Sequence, residues 1–472
     1  MRRRDVLAST AALLGGVRPT ATTAPYTPLG RVSLPGAKEA VLTPDDRYAV
    51  VAVTNGFAVI DCTTPSDPRV VAENRRVLAD RPHGPLQAIY DVAIEDTTVA
   101  VAGPAHGDTT DRLAAVAVYD LSTPAYPDRI TDHETTYPIH NCELADGIVY
   151  LTANDGAANP LVTVDATTGV ELGRWSLADV DPAWLDVAPS LRTLHDVTVQ
   201  GETAVLAHWD AGTWLLDVTT PHAPATIGHV GGRDPATLAS LTPETIATAS
   251  TELPGNAHYA ARDPTGTRLA VGREAWERTL DDDHRGGPGG IDLYDVKDPT
   301  APTHLATIPP PPTPDPTVGG VWTTAHNFEL ARDRLYAAWY RGGITIHDLS
   351  APTDPDRIAW WRVPDATSFW TTRRGDGWVL ATSRRDPPAA DGRGAAIYVF
   401  PDRAGTQPTA PPLTTPATTR TTTTRTTTTT TRSTTPTAGS TTGTTTPGQP
   451  GFGIVTAGAA LAYAAYHVLT RD

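Results

Sequence analysis

The chain has 472 residues, of which 39% are hydrophobic and 19% charged, and its formal net charge is −16. This length fits one large barrel or propeller, and the acidic balance excludes the basic face that nucleic-acid binding requires, so we expect no nucleic-acid partner. Two cysteines cannot build a disulfide scaffold or an all-cysteine zinc site, and we expect both to be free, partly buried thiols.

The first segment, residues 1–24, has the composition of an export signal. Three arginines (Arg2–Arg4) precede a weakly apolar stretch that ends near Gly16 and is too short to span a membrane stably. The run Arg3-Arg4-Asp5-Val6-Leu7 resembles the twin-arginine motif of the Tat pathway, which carries folded proteins. An ordinary Sec signal is the alternative. We therefore expect a Tat-type signal peptide over 1–24 and a mature chain that starts at Pro25.

Strand-like apolar runs that end in aspartate recur along the next part of the chain. Their terminal residues are Asp61, Asp120, Asp165, Asp217, Asp295 and Asp348. After each of these except Asp165, proline follows at the fourth and again at the seventh position. An aspartate carboxylate bonds to the next backbone N–H groups, and proline fixes φ and removes a donor. Each signal therefore ends one strand and starts an outer strand at a sheet edge.

A pair of strands precedes each of these runs. The pairs start near Glu39, Tyr90, His140, His195, His258, His326 and Phe369. Four short strands in roughly 40–50 residues is the period of a propeller blade. The seven starts thus predict an all-β fold, a seven-bladed β-propeller of four-stranded blades over residues 25–402. The seventh unit lacks a fourth strand of its own, so we expect an N-terminal strand (residues 26–34) to complete the last blade and close the ring.

The repeated unit, apolar–Ile/Val–Asp–x–Ser/Thr–x–Pro, as in Phe57–Asp61 and the residues up to Pro65, resembles the LVIVD-repeat proteins. The resemblance covers roughly residues 26–402 and implies a β-propeller on a prokaryotic cell surface, but its motif is structural and fixes no chemistry. Many carboxylates with only two lysines, Lys38 and Lys297, also resemble proteins of extreme halophiles, in which salt screens the repulsion. An acidic protein from a GC-rich genome is the alternative.

Four histidines occupy the same position in successive repeats, at the predicted channel mouth. They are His140, His195, His258 and His326. Neutral imidazoles on converging strands can hold copper, zinc or iron. Strand alternation predicts that the residue after each histidine faces the other way and does not share the metal. The candidates to orient the histidines or to meet a ligand are Tyr90, Asp91, Asn141, Asp196 and Asn327. A polar ligand pocket and an inert, wet channel lining are the alternatives.

Length variation between repeats falls on one face of the predicted ring. The insertions are 181–193, 234–257, 275–290 and 309–318. Variable loops on one face of a repeat protein indicate a binding surface. We expect the acidic run Asp281–Asp283 to be solvated rather than to hold calcium. Most tryptophans, Trp209, Trp322 and Trp370 among them, fall on or beside strands, and we expect them to pack between blades.

The C-terminal part, residues 403–472, lies beyond the repeats. Residues 403–449 are rich in threonine and proline and predict an extended, disordered stalk. The run Pro450-Gly451-Phe452, an apolar stretch over 454–469 and Arg471 follow. Together they resemble the PGF-CTERM sorting signal of haloarchaea, which implies removal of this segment and attachment of a lipid. Sixteen residues span only ~24 Å of a ~30 Å hydrocarbon core, and a permanent membrane anchor is the alternative.

These features predict an exported protein anchored on the extracellular face of the cell membrane. We expect a monomeric binding or interaction module that contacts a cell-envelope component, a partner protein or a small ligand through its loop-rich channel face. The first alternative is a metal-dependent enzyme of the oxidase or lyase type centred on the four histidines. The second is a purely structural component of the envelope.

Overall fold

A computed structural model of the chain describes residues 25–279, 286–384 and 394–413. The predicted signal peptide, residues 414–449 of the predicted stalk, the PGF segment and the run Asp281–Asp283 lie outside the described residues. Within the described ranges, no helix combines the length and the apolar character needed to cross a bilayer.

Seven antiparallel sheets, each with four strands from the repeats, form the fold. The strands in chain order are β1 (Gly30–Ser33), β2 (Ala40–Leu42), β3 (Tyr48–Ala52), β4 (Phe57–Asp61), β5 (Arg69–Asn74), β6 (Asp91–Glu95), β7 (Thr98–Gly103), β8 (Ala114–Asp120), β9 (Asp128–Thr135), β10 (Ile139–Ala145), β11 (Ile148–Ala153), β12 (Leu161–Asp165), β13 (Glu171–Trp175), β14 (Asp196–Gln200), β15 (Thr203–Ala207), β16 (Thr213–Asp217), β17 (Ala225–Val230), β18 (Ala257–Arg262), β19 (Arg268–Arg273), β20 (Ile291–Asp295), β21 (Thr303–Ile308), β22 (Phe328–Leu330), β23 (Arg334–Ala338), β24 (Ile344–Asp348), β25 (Asp356–Trp361), β26 (Phe369–Gly375), β27 (Trp378–Ser383), β28 (Ala396–Pro401) and β29 (Gly405–Thr406).

Blades 1 to 6 are consecutive groups of four strands, from β2–β5 to β22–β25, and blade 7 contains β26, β27, β28 and β1. The first strand of each blade lies at the inner edge and contacts the first strands of both neighbouring blades, and β26 contacts β2 in the same way. This closed circle of inner strands surrounds the central channel. The prediction of a seven-bladed propeller is confirmed.

The N-terminal strand closes the ring as predicted. Strand β1 pairs antiparallel with β28, with Gly30 opposite Val399 and Ser33 opposite Ala396. Gly30 also lies against blade 1, where a Cβ on it would come within 2.6 Å of the carbonyl oxygen of Pro65. A larger residue would force blades 1 and 7 apart, so glycine is required at this seam. The short strand β29 extends blade 6 in parallel beside β25.

The aspartate turns form as their chemistry predicts. A carboxylate oxygen of Asp61 accepts a hydrogen bond from the backbone N–H of Thr63 at 2.9 Å, and Asp217 does the same with Thr219 at 2.9 Å. Asp165 makes the divergent turn, in which its carboxylate accepts from the backbone N–H of Thr168 at 2.7 Å. Because every blade ends its third strand at one face, these turns line the face opposite the insertions.

Apolar side chains pack between adjacent blades. Phe57 and Val59 of blade 1, for example, pack with Val92 and Val99 of blade 2. Cys62 and Cys142 are both buried and free, which confirms the prediction for the two thiols. Burial raises the pKa of Cys62 to about 12, so this thiol is unreactive at neutral pH.

The insertions before blades 4 and 5 contain the helices of the described structure. The 3₁₀-helices are Leu177–Asp179, Pro182–Asp186 and Pro189–Leu191, and the α-helices are α1 (Pro235–Ala239) and α2 (Pro243–Ala249). Each α-helix begins at a side-chain cap, where Asp234 accepts from the N–H of Thr237 and Thr242 accepts from that of Thr245. Both insertions precede an inner strand, so they lie on the face of the ring at which the histidine-lined end of the channel opens.

Candidate metal centre in the channel

Four histidine rings stand side by side around one end of the channel. The ring centre of His195 lies 4.1 Å from that of His140 and 4.1 Å from that of His258, and His326 lies 4.6 Å from His258. Each residue is at most 7% exposed. The structure therefore brings together all four histidines that the repeat register singled out. We call them the imidazole layer.

Backbone carbonyls fix the tautomer of three of these rings. The Nδ1 contacts are His140 with Ala105 O at 2.9 Å, His195 with His258 O at 3.2 Å, and His326 with Trp370 O at 2.6 Å. Because a carbonyl oxygen only accepts, each of these Nδ1 atoms carries the proton and each Nε2 keeps its lone pair. Histidine ligands of metals are held in this way, with the second nitrogen bonded to the protein.

Glu274, the residue after β19, adds a carboxylate to the layer. Its Oε2 lies 3.4 Å from Nε2 of His258, and its Oε1 accepts a hydrogen bond from the hydroxyl of Tyr340. Ligand atoms of His195, His258 and Glu274 all lie within 4.8 Å of one another. A separation of 3.4 Å is long for a charge-assisted hydrogen bond, but it is close to the ~3.3 Å edge of a tetrahedral site with bonds of ~2.0–2.1 Å.

Burial keeps the imidazoles neutral. It lowers the pKa of His140 to about 4 and holds the pKa values of His195, His258 and His326 well below the ordinary value. Burial also raises the pKa of Glu274 to about 7, against the opposing effect of the Tyr340 hydrogen bond. At neutral pH the layer therefore offers uncharged nitrogen donors and a carboxyl group whose proton a bound cation readily displaces.

Irregular strand pairing aims the side chains into the channel. The register between β10 and β11 shifts between Ile139 and Cys142, and that between β18 and β19 shifts between Ala257 and Tyr259. Such bulges re-aim side chains next to functional sites. His140 and Asn141 of blade 3, and likewise His326 and Asn327 of blade 6, line one cavity, so the predicted strict alternation is wrong in these two blades.

Two aromatic residues in a strained backbone conformation stand over the imidazole layer. Trp209 has φ 43° and Tyr340 has φ 47°, a left-handed region that bulky residues rarely adopt. The ring of Trp209 stacks on His195 at 5.2 Å, and that of Tyr340 lies 4.7 Å from His326. Such strain persists where the surroundings enforce it and clusters at functional sites.

The imidazole layer borders a small cavity of about 50 Å³. Its aromatic lining residues are Tyr90, Trp209, Trp276, Trp322, Tyr340 and Trp370. Trp209, Trp322 and Trp370, which the sequence assigned to packing between blades, thus also line the site. Two cations stand among these rings, with Lys38 Nζ 4.5 Å from the centre of Tyr90 and the Arg384 guanidinium 5.1 Å from that of Tyr340.

The residues that follow Lys38, Tyr90, His140, His195 and His326, together with Arg373 of β26, form a second group, which we call the carboxylate layer. Its members are Glu39, Asp91, Asn141, Asp196, Asn327 and Arg373. Asn141 donates to Asp196, the backbone N–H of Cys142 donates to Asp91 at 2.7 Å, and Glu39 accepts from Asn327 at 2.7 Å and from Arg373 at 2.8 Å. Burial, and then nearby carboxylates, raise the pKa values of Asp91 and Asp196 well above the ordinary range. Of the predicted ligand-face residues, Asn141 and Asp196 bond to each other, Asp91 bonds to the backbone of Cys142, and Asn327 bonds to Glu39. Tyr90, Asn141 and Asn327 line the cavity, and Asp91 and Asp196 do not.

Sequence reasoning missed Glu274, Trp209 and Tyr340. Glu274 follows β19, the second strand of blade 5, and no other repeat has a glutamate at the equivalent position. A signal for the other two was present, because Trp209 and Tyr340 each stand three residues before a glycine of the same hairpin, Gly212 and Gly343. Both glycines adopt positive φ.

Comparison with known proteins supports the fold and goes no further. No protein-family model and no curated protein matches the chain. The β-propeller domain of Cps50 (Swd1) from Myceliophteria thermophila is 11% identical, over 80% of this chain and 99% of that chain, with a TM-score of 0.53. The WD40 β-propeller domain of Doa1 is 10% identical, over 80% of this chain and 97% of that chain, with a TM-score of 0.49.

Proposed function

We propose that this propeller binds one transition metal ion in its channel through His195, His258 and Glu274 and acts as a metal-dependent enzyme on a small molecule. The observation that carries the proposal is the 3.4 Å separation between His258 Nε2 and Glu274 Oε2, beside a His195 ring whose Nδ1 is bonded to a backbone carbonyl. Two imidazoles and one carboxylate leave coordination positions open, as catalytic metal sites do. His140 and His326 flank these positions.

The donor set favours zinc, copper or iron over calcium or magnesium, because imidazole nitrogen suits these transition metals. When bound, such an ion supplies a Lewis acid or redox centre. Tyr340 orients the Glu274 carboxylate, Trp209 covers one side of His195, and the burial of the whole layer excludes bulk water. The chain therefore supplies orientation and a water-poor pocket, which are the protein's share of metal catalysis.

The test is metal analysis of the full chain, purified folded and without a histidine tag. We expect about one equivalent of a transition metal, lost in the His195→Asn/His258→Asn double variant. His347→Asn is the matched control, since His347 is buried in blade 6 and is not among the cavity-lining residues. Thermal unfolding of all three proteins separates loss of ligands from loss of fold. Equal metal content in the double variant and in the control would sink the proposal.

A binding module is the second candidate, because a β-propeller fits a binding role and the helical insertions stand on one face. The partner would be a protein, an envelope component or a small ligand held by that face. Metal-free protein, together with a double variant of unaltered stability, would favour this role over the enzyme. A purely structural envelope component would also be metal-free, and would be abundant and bind no ligand.

We also propose that the protein is exported and displayed on a haloarchaeal cell surface as an LVIVD-like propeller. The support is the twin-arginine run at residues 3–7 and the stalk, PGF motif and apolar stretch over 403–472. Replacing Arg3 and Arg4 with lysine should leave the protein inside the cell, and protease treatment of intact cells should digest only the wild-type protein. Equal digestion of both would contradict Tat export.

A further inference from the structure

A second and larger cavity lies on the insertion-bearing face beside the imidazole layer. It has a volume of about 730 Å³ and is bordered by hairpins of blades 2 and 3, by the insertion at Ala188–Thr193 and by helix α2. We call it the groove. Its volume lies in the ~300–1,000 Å³ range typical of pockets for organic molecules, whereas the cavity at the imidazole layer is about 50 Å³ and has room only for small groups.

The lining of the groove is largely apolar and carries negative charge only. Apolar surface comes from Pro138, Ala188, Pro189, Trp209, Pro243, Ile246 and Ala247. The charged side chains that line it are Asp108 and Asp155, and neither lysine nor arginine is among the described lining residues. Arg112 interacts with Asp108 and Arg192 with Asp155, but neither arginine lines the groove. An anionic ligand would therefore meet two carboxylates and no cation in the lining, and an apolar ligand would gain from burial.

Two buried polar atoms on lining residues lack protein partners. The hydroxyl oxygen of Tyr137, a residue only 6% exposed, and Oδ1 of Asn154 have no hydrogen-bond partner among the described residues. Buried polar groups in folded proteins are nearly always satisfied. Both atoms are buried away from the open surface of the groove, so they mark incomplete packing beside it and are not contacts for its occupant.

The groove and the metal cavity meet at two residues. His195 and Trp209 line both. Trp209 stacks on His195 at 5.2 Å, and its indole N–H donates to the carbonyl oxygen of Ser250 at 3.0 Å, next to helix α2. A molecule in the groove therefore lies against the residue that covers the proposed metal ligand.

We propose that the groove is the substrate pocket of the metal site and takes an apolar, uncharged organic molecule whose electron-pair donor reaches the metal past Trp209. This inference rests on the proposed function, because the electron-pair donor of the substrate would coordinate the proposed metal ion. It adds the class of substrate, which the donor set alone does not specify. An anionic substrate and a purely macromolecular partner are the competing outcomes.

The test uses Co²⁺-loaded full-length protein and three probes: imidazole, 4-phenylimidazole and 4-(imidazol-4-yl)benzoate. Dissociation constants come from the change in the visible cobalt spectrum. Burial of the phenyl ring in the groove should make 4-phenylimidazole bind at least about tenfold more tightly than imidazole. The added carboxylate of the third probe should remove that gain, because the groove offers it no cation.

Two matched tryptophan substitutions locate the effect. Ala247→Trp fills the groove from helix α2 and should abolish the phenyl advantage without changing imidazole binding. Ala239→Trp makes the same change on helix α1, at an exposed position outside the lining, and should change neither. Equal affinities of imidazole and 4-phenylimidazole for the wild type, tighter binding of the benzoate, or equal behaviour of the two variants would overturn the inference.

Failure of the proposed function gives a different result. If the protein binds no cobalt, the metal site fails, and binding to the groove is then measured by calorimetry on metal-free protein. Binding of 4-phenylimidazole that Ala247→Trp abolishes and Ala239→Trp preserves would still support the groove as a pocket for an apolar molecule. No heat of binding in the wild type would overturn it.

Discussion

The imidazole layer and the carboxylate layer are one residue apart along the same inner strands, yet their polar groups are satisfied in different ways. In the carboxylate layer, Glu39 accepts from Asn327 and Arg373, and Asn141 donates to Asp196. In the imidazole layer, backbone carbonyls hold one nitrogen of three rings, and the donors border a cavity. Burial alone therefore does not identify a site. The nitrogen donors of the imidazole layer face a cavity, whereas the charged groups of the carboxylate layer bond to other protein groups, and only its Asn141 and Asn327 border the cavity.

Removing the cation of the carboxylate layer should have the largest effect on stability. Arg373→Met leaves Glu39 buried without its charged partner, and breaking a buried pair in this way costs about 3–5 kcal/mol. Denaturant unfolding measures the change. Arg69→Met removes an exposed partner of Asp67 and should leave the free energy of unfolding unchanged. A small loss for Arg373→Met would mean that the layer is not held by this pair.

Glu274→Gln should weaken metal binding and change its pH dependence without unfolding the protein. With a pKa of about 7, Glu274 is protonated below that pH and must lose a proton to coordinate. Wild-type affinity should therefore fall tenfold per pH unit below about 7 and level off above it. In the variant the slope should vanish down to about pH 5, since burial lowers the histidine pKa values.

The measurement is competition with a chromophoric chelator between pH 5 and 8. Glu143→Gln is the matched control, because Glu143 is half-buried on an inner strand and its pKa is also raised to about 7, but it is not in the ligand cluster. Identical slopes in the wild type and in Glu274→Gln would remove Glu274 from the metal site.

Asp91→Asn should have the smallest effect and should sharpen the contrast between the layers. The folded-state pKa of Asp91 is raised by burial and by Glu39, so its stabilising contribution is complete below the unfolded pKa of ~3.9 and is lost as pH rises through the folded value. The asparagine oxygen still accepts from Cys142 N–H, so we expect a gain of less than about 1 kcal/mol at pH 8 and no gain at pH 4. A large loss at pH 8 would show that the layer needs the charge.

The sequence predicted the blades because their signals are local. An aspartate whose carboxylate accepts a hydrogen bond from the backbone N–H two residues later ends a strand, as Asp61 does with Thr63 and Asp217 with Thr219. The same aspartate turn recurs in nearly every blade. Repeat register also identified the imidazole layer. Glu274 has no counterpart in that register. Trp209 and Tyr340 adopt positive φ and each bridges to the neighbouring blade, at Ala257 and Phe369, so their placement depends on contacts between blades. The bulge at His140 likewise depends on pairing between strands, which no periodicity shows.

Equilibrium dialysis of metal-free protein against Co²⁺, with the visible spectrum as readout, tests whether the imidazole layer is a metal site. We expect one bound equivalent and a cobalt spectrum that is lost in His195→Asn/His258→Asn and kept in His347→Asn. Cobalt that binds to the double variant with the same stoichiometry and spectrum would show that these histidines do not hold the metal.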